Sequence, residues 1–280
     1  MANNVEGMER SPSLVGTFMK ELSSMREKLK DEDAEFVVSQ YAGLEKSAVL
    51  QDCRKFNDAN FVSKRPSACC ELLTKLLYLL AQGEAFTPSE ATDVFFGVTR
   101  LFQSQHPMLR RMMYLFIKEV VEATAAEEVI IVTSSLTKDV NSKTDLFRAN
   151  ALRVLCKIID SNMLGQIDRY VRQAIVDKDS MVSSSALVSG HHLLNDNTDI
   201  VRRWANDIQS AINDPDSSSM VQYHALTLLY RIRQQDRLAV SKLVSKLSSG
   251  RALHSPLAVC MLIRYTSRIM KEDISAKESQ

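Results

Sequence analysis

An all-α fold of stacked helical hairpins is what this 280-residue sequence predicts, and three observations predict it. Breakers are scarce: eight glycines and six prolines allow short turns between helices and are too few for a sheet protein. Apolar residues recur at helical spacing in one segment after another. The segments also fall into pairs of near-constant length. Leu109, Leu146, Val182, Val221 and Leu257 each sit just inside a helix opened by Asp, Ser or a proline, and they lie 37, 36, 39 and 36 residues apart.

Each interval holds two helical patterns and two short turns. That is the period of helical-hairpin solenoids of the HEAT and armadillo kind, in which one hairpin cannot cover its own apolar face and stacked neighbours bury a continuous core. The expectation is a curved right-handed superhelix of about six hairpins, less regular in its N-terminal third.

Element by element, Ser13 caps an expected helix to about Lys30, with Leu14, Phe18, Leu22, Met25 and Leu29 on one face. A short element around Phe36–Tyr41 follows. Leu44–Asn57 is amphipathic through Val49, Leu50, Cys53 and Phe56. Arg65-Pro66 opens a helix that is leucine-rich nearly all round, hence one packed between neighbours, and Gly83 ends it. Thr87-Pro88-Ser89-Glu90 reads as cap, first-turn proline and first-turn acid. Val94, Phe95, Val98, Leu101 and Phe102 form its stripe. Pro107 opens the next helix, with Leu109, Met112, Met113, Phe116, Ile117 and Val120 inward. The block Val129–Val132 has strand-forming residues, but no turn chemistry follows it, and it is read as a buried helix. Helices are then expected after Asp145, over Met163–Val176, after Asp179, over Ile200–Ile212, after Ser219, over Leu238–Leu247 and after Ser255-Pro256.

Composition narrows the function. With 45% hydrophobic and 25% charged residues the chain is an ordinary globular protein, and its net charge of +1 supplies no global field for nucleic acid or anionic lipid. The five cysteines show neither disulfide nor zinc-ligand spacing, so free thiols in a reducing compartment are expected. The N-terminus lacks a signal-peptide core, and no run approaches the ~18–20 apolar residues that span a bilayer. A cytoplasmic location follows, with any membrane contact made through partners or a surface.

No G-x-x-x-x-G-K-[ST], G-x-G-x-x-G or H-E-x-x-H pattern is present, so no cofactor, metal or catalytic residue is expected. His191-His192 tempts as a metal pair, but adjacent helix residues point about 100° apart and no third ligand follows. Ser183-Ser184-Ser185 lacks the glycines of a nucleophile elbow and reads as small residues between packed helices. The doublets Arg110-Arg111 and Arg202-Arg203 read as solvated faces, with contact to an acidic partner as the alternative. Phe95-Phe96 says more: two consecutive aromatics cannot face the same core, so the second either packs on an adjacent repeat or is exposed at a partner site.

The blocks LEKSAVLQ (Leu44–Gln51), KLLYLLAQGE (Lys75–Glu84), EATDVFFGVTRLFQSQ (Glu90–Gln105), LRRMMYLFIKEV (Leu109–Val120), EEVIIVTSSLTKDV (Glu127–Val140), QAIVDKDSMVSSSALVS (Gln173–Ser189) and VQYHALTLLYRIRQQDRLAV (Val221–Val240) resemble, in this order, the gamma-subunit family of coatomer, the COPI vesicle coat. The resemblance runs from about Leu44 to about Met270. It implies an adaptin-like α-solenoid trunk over 44–270, preceded by a divergent, partly disordered segment over 1–43 and followed by a polar tail over 271–280. The family's hinge and appendage have no counterpart here. The resemblance further implies a non-enzymatic coat subunit in Golgi-to-ER retrograde and intra-Golgi transport. Its partners would be a GTP-loaded Arf-family GTPase, the zeta subunit and other coat subunits, with peripheral association to Golgi membrane and no nucleic acid. By similarity to clathrin-adaptor trunks, the GTPase-binding helices are Ser89–Phe102 and Val129–Lys138, with Phe95, Phe96, Thr99, Ile131, Val132 and Ser135 as contact residues. The fold alone also allows a different class, a helical-repeat scaffold or transport factor outside vesicle coats that binds peptides or other proteins.

Overall fold

The computed structural model describes residues 41, 43–120, 126–249 and 253–278. The helix and element expected before residue 41 lie outside the described residues. Among those described there are fourteen α-helices, two 3₁₀ turns and no strand. The described chain forms two compact units, one to residue 104 and one from 105.

In the first unit, α1 (Lys46–Cys53) runs into a 3₁₀ turn (Arg54–Asn57), followed by α2 (Ala59–Lys64), α3 (Pro66–Ala81), α4 (Pro88–Thr99) and a second 3₁₀ turn (Arg100–Gln103). Local chemistry sets each boundary. Asp58 caps α2 by accepting from Asn60 N at 2.9 Å. Pro66 stands at the start of α3, where its missing N–H costs nothing. At the other end Gly83 takes φ +87°. The N–H of Glu84 reaches back to Leu79 O and that of Gly83 to Leu80 O, both at 3.1 Å, a Schellman closure that satisfies the last carbonyls. Thr87 and Glu90 close a capping box: Glu90 N donates to Thr87 Oγ1 at 3.3 Å, and Thr87 N donates to Glu90 Oε2 at 2.8 Å. α1, through Val49 and Cys53, and the 3₁₀ turn after it, through Phe56, pack on Leu-rich α3 and the inward face of α4, Val94, Phe95 and Val98, all buried.

The second unit is a two-layer stack. One layer is α5 (Pro107–Val120), α7 (Asp145–Ile158), α9 (Ser180–Leu193), α12 (Ser219–Arg233) and α14 (Pro256–Glu278), each packed on the next. The other layer is α6 (Ala126–Val140), α8 (Ser161–Ile175), the short α10 (Thr198–Arg202) with α11 (Ala205–Asn213), and α13 (Arg237–Ser249). α6 packs on α7, α8 on α9 and α11, and α13 on both α12 and α14. The block Val129–Val132 is helical, as its surroundings required. α14 continues through the polar segment expected after Met270 as far as Glu278.

The hairpin period holds, with its register shifted at two places. Leu109, Val182 and Val221 are buried as expected. At the other two positions the next residue takes the buried place: Phe147 and Ala258 are inside, whereas Leu146 is half-buried and Leu257 exposed. Two adjacent apolar residues at a helix start look alike in sequence, and only the helix phase separates them.

That corrected register exposes a second repeat, of polar residues. The fourth residue of α5, α7, α9 and α12 is Arg110, Arg148, Ser183 and Gln222, and each ties its helix to a neighbouring one. Arg110 is fully buried. It pairs with Asp139 at the end of α6, donates to Tyr114 Oη at 2.5 Å, and lies over the Phe147 ring at 4.4 Å. Arg148 grips Asp177 through both terminal nitrogens, at 2.6 and 3.2 Å. Ser183 Oγ donates to Ile175 O at 2.7 Å. Gln222 Nε2 donates to Ile212 O at 3.1 Å, while its Oε1 accepts from the His254 and Ser255 N–H groups. Each link satisfies backbone or charge that the interhelix turns would otherwise bury unpaired.

Between α8 and the following pair the links are Trp204 Nε1 to Asp168 and Arg172 to Asp207, both at 2.6 Å. The helix expected over Ile200–Ile212 is interrupted at Arg203-Trp204, which separates α10 from α11, and the Trp204 indole there is wholly buried. The same indole presses on α9: a Cβ on Gly190 would stand 3.4 Å from the Trp204 ring and 2.7 Å from Leu228 Cδ2, so an added methyl would have to displace the buried Leu228 side chain.

Candidate partner-binding surface

The exposed surface of the first unit holds a groove of about 680 Å³ between α1 and α4. Ser47, Leu50, Gln51, Arg54 and Asn57 line one wall and Glu90, Asp93 and Phe96 the other, with Cys53 and Val94 at the base. The capping box positions its mouth. Glu90 also binds Lys46 Nζ at 2.7 Å, and Lys46 reaches Ala85 O at 2.8 Å, so α1 is fastened to the start of α4. These bonds hold the Glu90 carboxyl below its usual pKa, with Lys46 the largest cause.

The aromatic pair divides as helix geometry requires. Phe95 is wholly buried, and Phe96 leaves 42% of its surface exposed on the groove wall. Thr99, one turn on, is half-buried, with its hydroxyl donating to Phe96 O at 2.8 Å. In the second unit Ser135 on α6 is half-buried, and Val132 is wholly buried. The Ile131 side chain lies outside the described residues. For Phe95 and Val132 the expectation of a partner-facing side chain is therefore corrected. Both close the core of their helices, and neither can reach a partner without unpacking. Sequence reading passed over the groove's other contributors, Leu50, Arg54 and Asn57. The apolar step at Leu50 was visible, but its position opposite Phe96 depends on how α1 packs.

The groove's accessible lining is mainly polar, with Leu50, Phe96 and, at the base, Cys53 and Val94 as its apolar members. The Cys53 thiol at its base is pushed up to about 12 by burial, with Asp52 adding to the rise, so it stays protonated and poorly nucleophilic. Burial does the same to Cys156, pushed up to about 12. Among the described residues no group of three His, Cys, Asp or Glu side chains is placed to hold a metal. His191 is engaged by Arg231, whose guanidinium reaches His191 O at 3.2 Å and the ring at 3.4 Å. Ser183, Ser184 and Ser185 are buried between helices, as the small-residue reading expected. The doublets differ: Arg202 and Arg203 are exposed, while Arg110 belongs to the interior and only Arg111 faces solvent. No helix among the described residues is long and apolar enough to cross a membrane.

Paired helices stacked in chain order define the second unit as a helical-repeat array. A model of the adaptin N-terminal region matches residues 45–280, and the chain belongs to that family. It is similar to the coatomer subunit gamma of Arabidopsis thaliana, at 57% identity over 242 residues, covering 86% of this chain and 26% of that protein. Coatomer subunit gamma-1 of Oryza sativa subsp. japonica is 56% identical over 242 residues, again 86% and 26%. Coatomer subunit gamma-2 of Homo sapiens is 52% identical over 250 residues, 89% and 28%. The chain thus spans about a quarter of the length of these curated relatives.

Proposed function

We propose that this chain is a trunk portion of a non-enzymatic coatomer subunit of the gamma kind. In this reading it serves COPI vesicle transport, Golgi-to-ER and intra-Golgi, from the cytoplasmic side of Golgi membrane. It docks a GTP-loaded Arf-family GTPase and joins other coat subunits, zeta among them. The observation that carries the coat assignment is the identity of more than half over most of this chain to proteins named coatomer subunit gamma.

The groove of the first unit supports the GTPase contact. GTP-ordered switch loops present an apolar surface that the GDP form loses. Phe96, with Leu50 across the groove, offers an aromatic anchor, and Gln51, Arg54, Asn57 and Asp93 form the polar rim that excludes water around such an anchor. In the second unit, Ser135 on α6 supplies a small half-exposed position where a partner backbone can approach.

The test is a pull-down with an Arf-family GTPase locked in GTP-like and GDP states. Capture of the GTP-like form alone supports this reading. Capture indifferent to nucleotide favours a helical-repeat scaffold or transport factor outside vesicle coats, and no capture overturns the GTPase contact.

A further inference from the structure

The arginines that bridge helices of the second unit have carboxylate partners: Arg110 has Asp139, Arg148 has Asp177 and Arg172 has Asp207. Another set of basic groups has none. In the first layer α7 contributes Arg153, α9 contributes His191 and His192, and α12 contributes His224 and Arg231. Arg153 and His192 are exposed, and the other three are half-buried. They form one cluster. Arg231 reaches His191 O at 3.2 Å, the His191 ring bonds the His224 backbone, and Arg153 is near enough to His224 to disfavour its charged form. The other acceptors around Arg231 are the His191 ring and Asn195 Oδ1, at 3.4 and 2.9 Å, and both are neutral. Among the described residues no carboxylate is paired with any of the five. α5 and α14 flank these three helices in the layer, so the cluster does not lie at an end of the stack.

Over their full lengths α7, α9 and α12 carry one carboxylate, Asp145, and Arg148 holds it at 2.5 Å. The turns that follow them hold Asp160 and Asp236, which cap the next helices, and Asp196, which makes no ion pair. Asp177, Asp179, Asp214 and Asp216 belong to turns at the opposite ends. A helix dipole favours cations in a last turn, which accounts for Arg233 on α12. It does not account for Arg153, ninth of the 14 residues of α7, or for His224 in the second turn of α12. Basic groups gathered without a counter-ion repel one another, and an anion would relieve that repulsion.

The surroundings select the anion. Phosphate sites use helix N-termini, whereas His191, His192 and Arg231 sit in last turns, where backbone carbonyls are the free groups. Single-stranded nucleic acid calls for exposed aromatic platforms, but Tyr230 is buried and Tyr223 lies half-buried against His224. A lipid surface calls for exposed aliphatic groups, and those of α9 and α12, Met181 and Met220, stand at the other end of each helix. Singly charged carboxylates fit the spacing. Packed helices stand about 8–10 Å apart, and alternate residues of an extended segment about 7 Å apart.

We infer that α7, α9 and α12 together dock an acidic segment of a protein partner, whose carboxylates cross the three helices and meet Arg153, His192 and Arg231. The inference does not rest on the GTPase reading, which concerns the groove of the first unit.

The experiment titrates the 280-residue chain into a fluorescein-labelled hexaglutamate peptide, read by anisotropy, beside labelled hexaglutamine and labelled hexathymidylate. Hexaglutamate should bind saturably and more tightly than the nucleotide strand, and hexaglutamine should not bind. Arg153→Glu with His192→Glu, both exposed, should weaken binding of hexaglutamate by at least about tenfold, with the melting temperature unchanged. Arg153→Gln, which removes one charge and adds none, should weaken it about threefold. Arg202→Glu with Arg203→Glu, exposed beside the second layer, should leave it as it was. Absence of binding, equal binding of hexaglutamine, tighter binding of hexathymidylate, or indifference to the Arg153 and His192 changes would each overturn the inference. So would a loss of binding that appears only in variants with a lowered melting temperature.

Discussion

In the first unit the polar side chains that organise the helices act in caps within a turn and in one half-exposed ion pair, Lys46 to Glu90, between two helix starts. Asp58 caps its own helix, Thr87 and Glu90 box theirs, and Lys46 joins two neighbouring beginnings. In the second unit caps of the same kind, at Asp160, Asp179 and Ser218, are accompanied by more deeply buried links between helices. Arg110 to Asp139 and Arg148 to Asp177 each span 29 residues of sequence, and Gln222 binds backbone on both sides of its helix. Local caps fix where helices begin and leave the space between α1 and α4 open. Cross-hairpin links draw neighbouring helices together. Stability in the second unit should therefore depend on a few polar contacts, whereas in the first unit an exposed aromatic is free to change without loss of fold.

The comparison breaks first at Asp139. Asp139→Ala leaves the buried Arg110 guanidinium without its counter-ion, and urea unfolding should show a loss of about 3–5 kcal/mol. Arg148 stays partly in water and keeps Asp145 at 2.5 Å, so Asp177→Ala should cost only about 1 kcal/mol. Equal losses would mean that burial does not distinguish the two links.

A smaller effect comes from glycine. Gly190→Ala forces a methyl against Leu228 and Trp204 and should destabilise by about 1–3 kcal/mol. Gly165→Ala on α8 meets nothing within 4 Å and should stabilise by about 0.5–1 kcal/mol, both read as shifts in unfolding midpoint.

A pH effect should also arise in the second unit. Burial, with Arg231 nearby, pulls His191 down to about 4 from its ordinary 6.5, so the folded state binds fewer protons than the unfolded one between those values. Stability should be full above pH 6.5 and fall as pH drops towards 4. His191→Gln should flatten the slope of melting temperature between pH 7 and 5. An unchanged slope would show that His191 does not carry it.

How much of this was legible in the sequence depends on how local the cause is. Helix starts at Pro66, Thr87-Pro88, Pro107 and Pro256 were readable because caps and prolines act within four residues. The hairpin period was readable because stacking repeats a buried position, although Leu146 and Leu257 stood one residue off phase. Arg110 was not readable. Beside Arg111 it looked solvated, and the groups that bury it, Asp139 and Phe147, lie 29 and 37 residues away. The break at Trp204 was hidden for the same reason, since Asp168 is 36 residues back. Of the site, helix phase alone separated Phe96 from Phe95, but nothing local showed that Val132 is enclosed or that Leu50 and Arg54 would face Phe96.

The central claim is that the first unit carries a partner surface separable from its fold, and Phe96→Asp tests it most directly. Calorimetric titration of an Arf-family GTPase bound to a GTP analogue should show affinity reduced by at least about tenfold, with the melting temperature of the variant unchanged. Undiminished affinity, or a loss of binding that tracks a fall in melting temperature, would contradict the account.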